Sequence, residues 1–217
     1  MIIDLHIHEK TYSSDSQIGL EDIIDKAMEM GLDGVCITDH ESDKLRDRAH
    51  ALSRDKNFPV FVGAEVLTYE GDLLVFGLDY LPTEKMHARE LAAYVTSRGG
   101  AVISAHPYRR NNRGLGDHLQ SIDCLSGVEG LNGNTPFYLN LQAFKSAEEI
   151  RKPVFGGSDA HVIDQVGKFA TRFNTTIESE QDLAQAILSG HVTPVYHWDG
   201  HYLDFNLQIH STSQEAV

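Results

Sequence analysis

The chain of 217 residues carries 18 Lys and Arg against 32 Asp and Glu, a formal net charge of −14 with histidine neutral, and two cysteines. That length suits one domain with a sizeable core, and the acidity disfavours stable binding to duplex nucleic acid or to an anionic membrane. Cys36 and Cys124 show no C-x-x-C spacing, no apolar run approaches the roughly 18 residues of a membrane helix, and no secretory segment precedes the first strand, so a cytoplasmic location is the expectation.

The opening segment, M-I-I-D-L-H-I-H, alternates aliphatic and ligand-type residues. As a strand it places Ile3, Leu5 and Ile7 on one face and Asp4, His6 and His8 on the other. Residues 20–30 are an amphipathic helix ended by Gly31, 34–40 (G-V-C-I-T-D-H) a second strand, and 42–52 a charged helix. F-P-V-F-V-G-A-E-V (58–66) and D-L-L-V-F-G-L (72–78) read as strands, and a helix over 84–98 stops at Gly99-Gly100.

A-V-I-S-A-H-P (101–107) returns as a strand ending at the proline, and S-G-V-E-G-L-N (126–132), a helix over 137–151 and K-P-V-F-G-G-S-D-A-H (152–161) repeat the pattern. The tail carries a strand (172–177), a helix (179–188) and terminal extended segments. His197 and His201 have the spacing of a helical zinc pair, but the Asp-Gly between them signals a hairpin turn. Strands alternating with helices predict βα units around a parallel sheet, and six or seven such units point to a barrel.

Ligand-type residues recur at the C-terminal ends of the strands: His6 and His8, His40, Glu65, His106, then Asp159 and His161. Active sites of barrels are built at that end. A single buried histidine is more often a hydrogen-bonded core residue, yet burying this many unpaired polar groups would cost several kcal/mol each, so a shared cation is the economical explanation.

His6-x-His8, Asp15, Thr38-Asp39-His40, Gly63-Ala64-Glu65, Ser104-Ala105-His106-Pro107 and Gly157-Ser158-Asp159-Ala160-His161 resemble, in type and order, the motifs of the PHP (polymerase and histidinol phosphatase) family over about residues 2–168. The resemblance implies an α/β fold, a single-domain distorted (β/α)7 barrel over residues 1–217. In it, 169–217 completes the barrel and adds a C-terminal extension, and the metal site lies at the C-terminal ends of the strands. It implies two or three divalent ions (Mn, Zn or Fe) and hydrolysis of phosphate esters. Carried over by position, His6, His8, Glu65 and Asp159 hold the first ion; Glu65 bridges to a second, bound also by His106; Asp15, His40 and His161 bind a third. Asp4, deeper on the first strand, is expected to orient a ligating histidine.

One position departs from the pattern. Many members supply another histidine to the second ion from the strand after the Glu65 motif, where this chain reads G-D-L-L-V-F-G. Asp72 offers an oxygen ligand in its place, and an exposed turn aspartate is the competing reading.

With such ions the site becomes a positive pocket in an acidic protein. The expected nucleophile is a metal-bound hydroxide near Glu65, attacking in line, since ions about 4 Å apart can share and acidify one water. No nucleophile elbow or phosphate-cradling glycine loop competes with it. In P-Y-R-R-N-N-R-G after His106, Arg109, Arg110 and Arg113 are candidate phosphate clamps, with Arg109 or Arg110 preferred, and Tyr108 could stack on a base or line the pocket. Lys168 is a weaker clamp candidate, and His118 could protonate a leaving group, although an exposed loop histidine not ligating a metal is the preferred reading. His50, His87, His191, His197, His201 and His210 are not expected in the site.

The leading expectation is a phosphoesterase acting on a small phosphomonoester such as a nucleotide or sugar phosphate. The absence of a large roofing insertion keeps short oligonucleotide ends in play. The rivals are a C–N hydrolase of amidohydrolase type, which also uses H-x-H but commonly adds a bridging lysine not found here, and a noncatalytic metal-binding scaffold.

Overall fold

The computed structural model describes residues 1–206. In chain order its elements are β1 (Ile2–Ile7), α1 (Leu20–Glu29), β2 (Gly34–Ile37), α2 (Arg46–Lys56), β3 (Val60–Val62), β4 (Ala64–Leu67), β5 (Asp72–Phe76), α3 (Ala88–Thr96), β6 (Ala101–Ser104), β7 (Gly127–Asn132), α4 (Phe137–Glu149), β8 (Val154–Gly157), β9 (Phe169–Phe173), α5 (Glu180–Ser189), β10 (Val192–Trp198) and β11 (His201–Asp204). The hairpin expected at residues 197–201 is present: Trp198 pairs with His201 across a turn whose Asp199 and Gly200 both have positive φ. His210 lies outside the described residues.

The architecture is α/β, as expected, but the strands form two sheets rather than one closed ladder. Their orders are β11-β10-β9-β1-β2-β3 and β4-β5-β6-β7-β8. The sheets touch through two isolated parallel bridges, Ile7 with Ala160 and His40 with Glu65. Both bridges lie at the strand ends that carry the ligand-type residues, so the site straddles the two seams. Helices α1, α2, α3 and α4 pack on β2, β3, β6 and β7 respectively.

The sheets are mixed, against the expectation of a parallel one. β5 runs antiparallel to β4 and to β6, and β9 antiparallel to β1 and to β10. The chain between β4 and β5 is the short turn 68–71, closed by the Thr68 N–H on the Gly71 carbonyl at 2.9 Å, whereas a parallel crossover needs on the order of a dozen residues. α3 begins later than the sequence suggests because Glu70, on that same turn, accepts the Ala88 N–H at 2.7 Å and so sets the helix start.

One apolar core unites the sheets. It gathers Ile3 and Leu5 of β1, Phe61 of β3, Leu74 and Phe76 of β5, Ile103 of β6, Phe155 of β8 and Phe173 of β9, closed by Leu183 and Ile187 of α5. Ile7 instead packs with Ile23 and Ile24 of α1 in a separate cluster. The pairing of β1 with β2 shifts register between Asp4 and Ile7, which breaks the simple two-face alternation in the stretch that bears His6.

The core is tight at Gly127, where an added Cβ would lie 2.2 Å from the Phe155 ring. Gly127→Ala is therefore expected to destabilise the fold by about 1–3 kcal/mol, an overpacking cost read as a lower urea midpoint. An unchanged midpoint would show that the ring has room to yield. Among the described residues no helix is long and apolar enough to cross a membrane.

Candidate metal centre

The ligand-type side chains separated by up to 155 positions in sequence converge at the seams. His6, His8, Glu65, Asp72, His106 and Asp159 are buried, His40 and His161 partly so, and Asp15 lies at the solvent edge. The Nε2 atoms of His6 and His8 face one another at 3.1 Å. Asp159 Oδ1 lies 3.4 and 3.3 Å from them, and the Glu65 carboxylate 3.6 and 3.5 Å. Asp159 holds this place on a backbone with φ of 53° and donates its N–H to the His6 carbonyl at 2.7 Å, tying the end of β8 to β1.

Both imidazoles are held from behind. His6 Nδ1 meets Glu129 Oε1 at 2.9 Å, and His8 Nδ1 meets Ser13 Oγ at 3.1 Å, the hydroxyl itself donating to Asp39 at 2.8 Å. Each partner can accept from Nδ1–H, so that either ring, when neutral, turns its Nε2 lone pair into the shared space. Two facing nitrogens cannot both stay protonated. Burial lowers both imidazoles. At His6 it is outweighed by Asp159, Glu129 and Glu65, which hold the pKa well above 6.5, whereas at His8 burial wins and the pKa falls to about 4.

Glu65 is the hub. Its Oε1 meets His106 Nε2 at 2.7 Å and its Oε2 meets His40 Nδ1 at 2.9 Å. Burial pushes this carboxyl up, but the charge of His6 and the bonds from His106 and His40 hold it well below the usual range. His40 continues outward to Asp15 at 3.1 Å, which also lies 3.3 Å from His161 Nε2. Burial lowers the His40 pKa, yet Glu65 and Asp15 raise it overall to about 9.

Asp72 is wholly buried beside Glu65 and His106, so the exposed-turn reading does not hold. Burial and the nearby Glu65 charge push its pKa up to about 6. Its Oδ1 and His106 Nδ1 have no hydrogen-bond partner.

These observations test whether divalent ions fit. Among the described residues, four groups of three donor atoms each lie within 4.8 Å of one another: His6, His8 and Glu65; His6, His106 and Asp159; Glu65, Asp72 and His106; His8, His40 and His161. Neutral imidazole and carboxylate suit Zn, Mn and Fe, and so much buried carboxylate calls for compensating cations. The donor set fits.

The arginine loop is brought in only in part. A cavity of about 270 Å³ is lined by Asp15, His40, Glu65, Asp159, His161, Asn111, Asn134, Arg109 and Arg113. Arg109 donates to Asp159 and, at 2.6 Å, to Asn132 Oδ1; Arg113 donates to Asp72 at 2.6 Å. Arg110, one of the two preferred clamps, instead sits over the Tyr138 ring, 5.9 Å from its centre. The Tyr108 hydroxyl bonds Ser146 of α4 at 2.5 Å, and its ring packs against the core under α3 and α4. That packing removes it as a base-stacking platform. Lys168 and His118 are exposed and do not line the cavity.

Asp4 takes a different role from the expected one. Its carboxylate accepts the N–H groups of Ser158 at 2.9 Å, Gly167 at 3.0 Å and His6 at 3.3 Å, so it pins the backbone around Asp159 instead of a histidine ring. Glu129 does what was assigned to Asp4. It also accepts the His106 N–H at 2.8 Å and the Asn132 amide at 2.9 Å. Its signal in the sequence is a lone glutamate inside a strand that is otherwise apolar or small, a residue that needs partners to be buried.

The sequence profile described as PHP-associated matches residues 137–192. The uncharacterised protein MJ1587 of Methanocaldococcus jannaschii is 30% identical over 142 residues, spanning 61% of this chain and 82% of its own length. A Bifidobacterium adolescentis structure, proposed to be a metal-dependent phosphoesterase, superposes with a TM-score of 0.65 at 20% identity, covering 87% of this chain and 96% of its own. A two-domain Bacteroides vulgatus protein containing an inferred PHP-like metal-dependent phosphoesterase gives 0.71 at 19% identity, covering 91% of this chain and 65% of its own. At those identities the two structures speak for the shared fold.

Proposed function

Because the chain belongs to the PHP family, we propose that it is a metal-dependent phosphoesterase that hydrolyses a small phosphomonoester, such as a nucleotide or sugar phosphate. The carrying observation is the meeting of the His6 and His8 Nε2 atoms with Glu65 and Asp159 at the floor of a cavity walled by Arg109 and Arg113. In this proposal the two seamed sheets are the halves of the distorted (β/α)7 barrel.

His6, His8, Glu65 and Asp159 would hold one divalent ion, Glu65, Asp72 and His106 a second, and His40, His161 and Asp15 a third. When bound, such ions acidify a water and neutralise charge on the phosphoryl oxygens. Arg109 offers its guanidinium to those oxygens from a place fixed by Asn132 and Thr135, and such anchoring positions the group without a cost at the moment of reaction. His6 and His8 are kept in the tautomer a ligand needs by Glu129 and by the Ser13–Asp39 pair.

Glu129→Gln replaces the acceptor at His6 Nδ1 with a group that cannot carry charge, and is expected to weaken Mn binding by roughly 10–100-fold. Calorimetric titration checks it, and unchanged affinity would remove Glu129 from the centre.

The function is tested by phosphate release from the manganese-loaded protein on nucleotides, sugar phosphates, histidinol phosphate and short oligonucleotides, beside cyclic amides and lactones. Release from a monoester supports the proposal, and release only from oligonucleotide ends would redirect it to an exonuclease. Amide turnover without phosphate release would reject it. Less than one bound ion per chain would favour a scaffold.

A further inference from the structure

Arg113 stands where a cation is wanted. Its Nε donates to Asp72 Oδ2 at 2.6 Å, while its Nη2 lies 3.3 Å from His40 Nδ1 and 3.9 Å from Glu65 Oε2. The guanidinium thus sits against the carboxylates of the Glu65, Asp72 and His106 group.

The placement is built into the backbone. Asp72 N–H donates to the Arg113 carbonyl at 2.7 Å, so the two residues clasp each other by main chain and side chain together. Beside them, a Cβ on Gly71 would lie 2.7 Å from the Gly114 backbone, and one on Gly114 would lie 2.3 Å from the Pro107 carbonyl oxygen. A side chain at Gly71 would push the arginine loop off β5, and one at Gly114 would push the loop apart from its own start at Pro107.

We propose that Arg113 is a resident counter-cation that occupies the Asp72 position in competition with a divalent ion. This rests on the reading of the site as a metal centre. Arg113 engages Oδ2 of Asp72 and leaves only Oδ1 for an ion, and a positive charge beside an ion site opposes a second positive charge entering it. Arg109 likewise takes Asp159 Oδ2, but Asp159 Oδ1 stays within 3.4 Å of both facing imidazole nitrogens, so the four-residue set of His6, His8, Glu65 and Asp159 fills first and the Glu65, Asp72 and His106 set only weakly. An anionic phosphoryl group that draws Arg113 away frees Asp72, which couples filling of the weak position to arrival of substrate.

The test is equilibrium dialysis of the purified full chain against Mn, with bound metal counted by mass spectrometry. Arg113→Ala and Arg113→Gln are expected to bind one more ion per chain than wild type at the same free Mn, or the same number with the weakest about tenfold tighter. The double variant Asp72→Asn with Arg113→Gln is expected to lose that gain, locating it at Asp72. The glutamine form keeps most of the side chain's bulk, and circular dichroism confirms that each variant is folded. Equal stoichiometry and affinity in wild type and both single variants, with wild type holding at least one ion, would overturn the competition while leaving the metal centre intact. No ion in any form would overturn both.

Discussion

Asp159→Asn is expected to weaken the first ion's binding by on the order of 100-fold and to bring phosphate release to background while the chain stays folded. The backbone at Asp159 is left-handed, with φ of 53°, a conformation asparagine also tolerates, so the loop after β8 keeps its shape. What changes is charge. Oδ1 lies within 3.4 Å of both facing imidazole nitrogens, and Oδ2 anchors Arg109. Removing the carboxylate takes away an anionic donor and loosens the Arg109 guanidinium that lines the cavity. Metal counting, phosphate release and circular dichroism on one preparation check it, and full turnover would show that Asp159 is no ligand.

Stripping divalent ions should lower the thermal midpoint as well. An ion held only by the folded chain stabilises it by about 2.7 kcal/mol at a free concentration 100 times its dissociation constant, which for a chain of this size is a shift of about 5–10 °C. The unfolded chain cannot compete, because residues 6, 8, 65 and 159 meet only when β1, β4 and the end of β8 are assembled. Scanning calorimetry before and after chelation checks this, and Asp159→Asn should show much less of the shift. A midpoint indifferent to chelation would mean that the buried carboxylates and imidazoles balance one another without an ion.

The ligand-type residues were legible in the sequence because strand alternation is a strong local rule. His6 and His8 announce a polar face at once, although Asp4 and Ile7 depart from it where β1 shifts register, and the positions of His40, His106, Asp159 and His161 past strand ends follow from the apolar runs before them; Glu65 instead lies inside β4, because the stretch read as one strand divides at Gly63. The Asp199-Gly200 turn was legible for the same local reason.

Strand direction was not, because β5 and β9 look like any buried strand and only the four-residue connection 68–71 betrays a hairpin. The partners of Glu129 were hidden by distance: it reaches His6 across 123 positions, and nothing in S-G-V-E-G-L-N names the contact. Arg109 and Arg110 are neighbours in the chain with the same chemistry, and only the fold sends one into the cavity and the other onto Tyr138. The pairing of Arg113 with Asp72 is likewise tertiary, helped by Gly71, which lets the loop lie against the start of β5.

The most direct measurement is anomalous diffraction at the manganese edge from crystals grown with Mn. A strong peak bounded by His6 and His8 Nε2 and the carboxylates of Glu65 and Asp159 is the predicted result. A map with no peak among those four side chains, at a wavelength where manganese elsewhere in the crystal is seen, would contradict the metal centre and the phosphoesterase chemistry built on it.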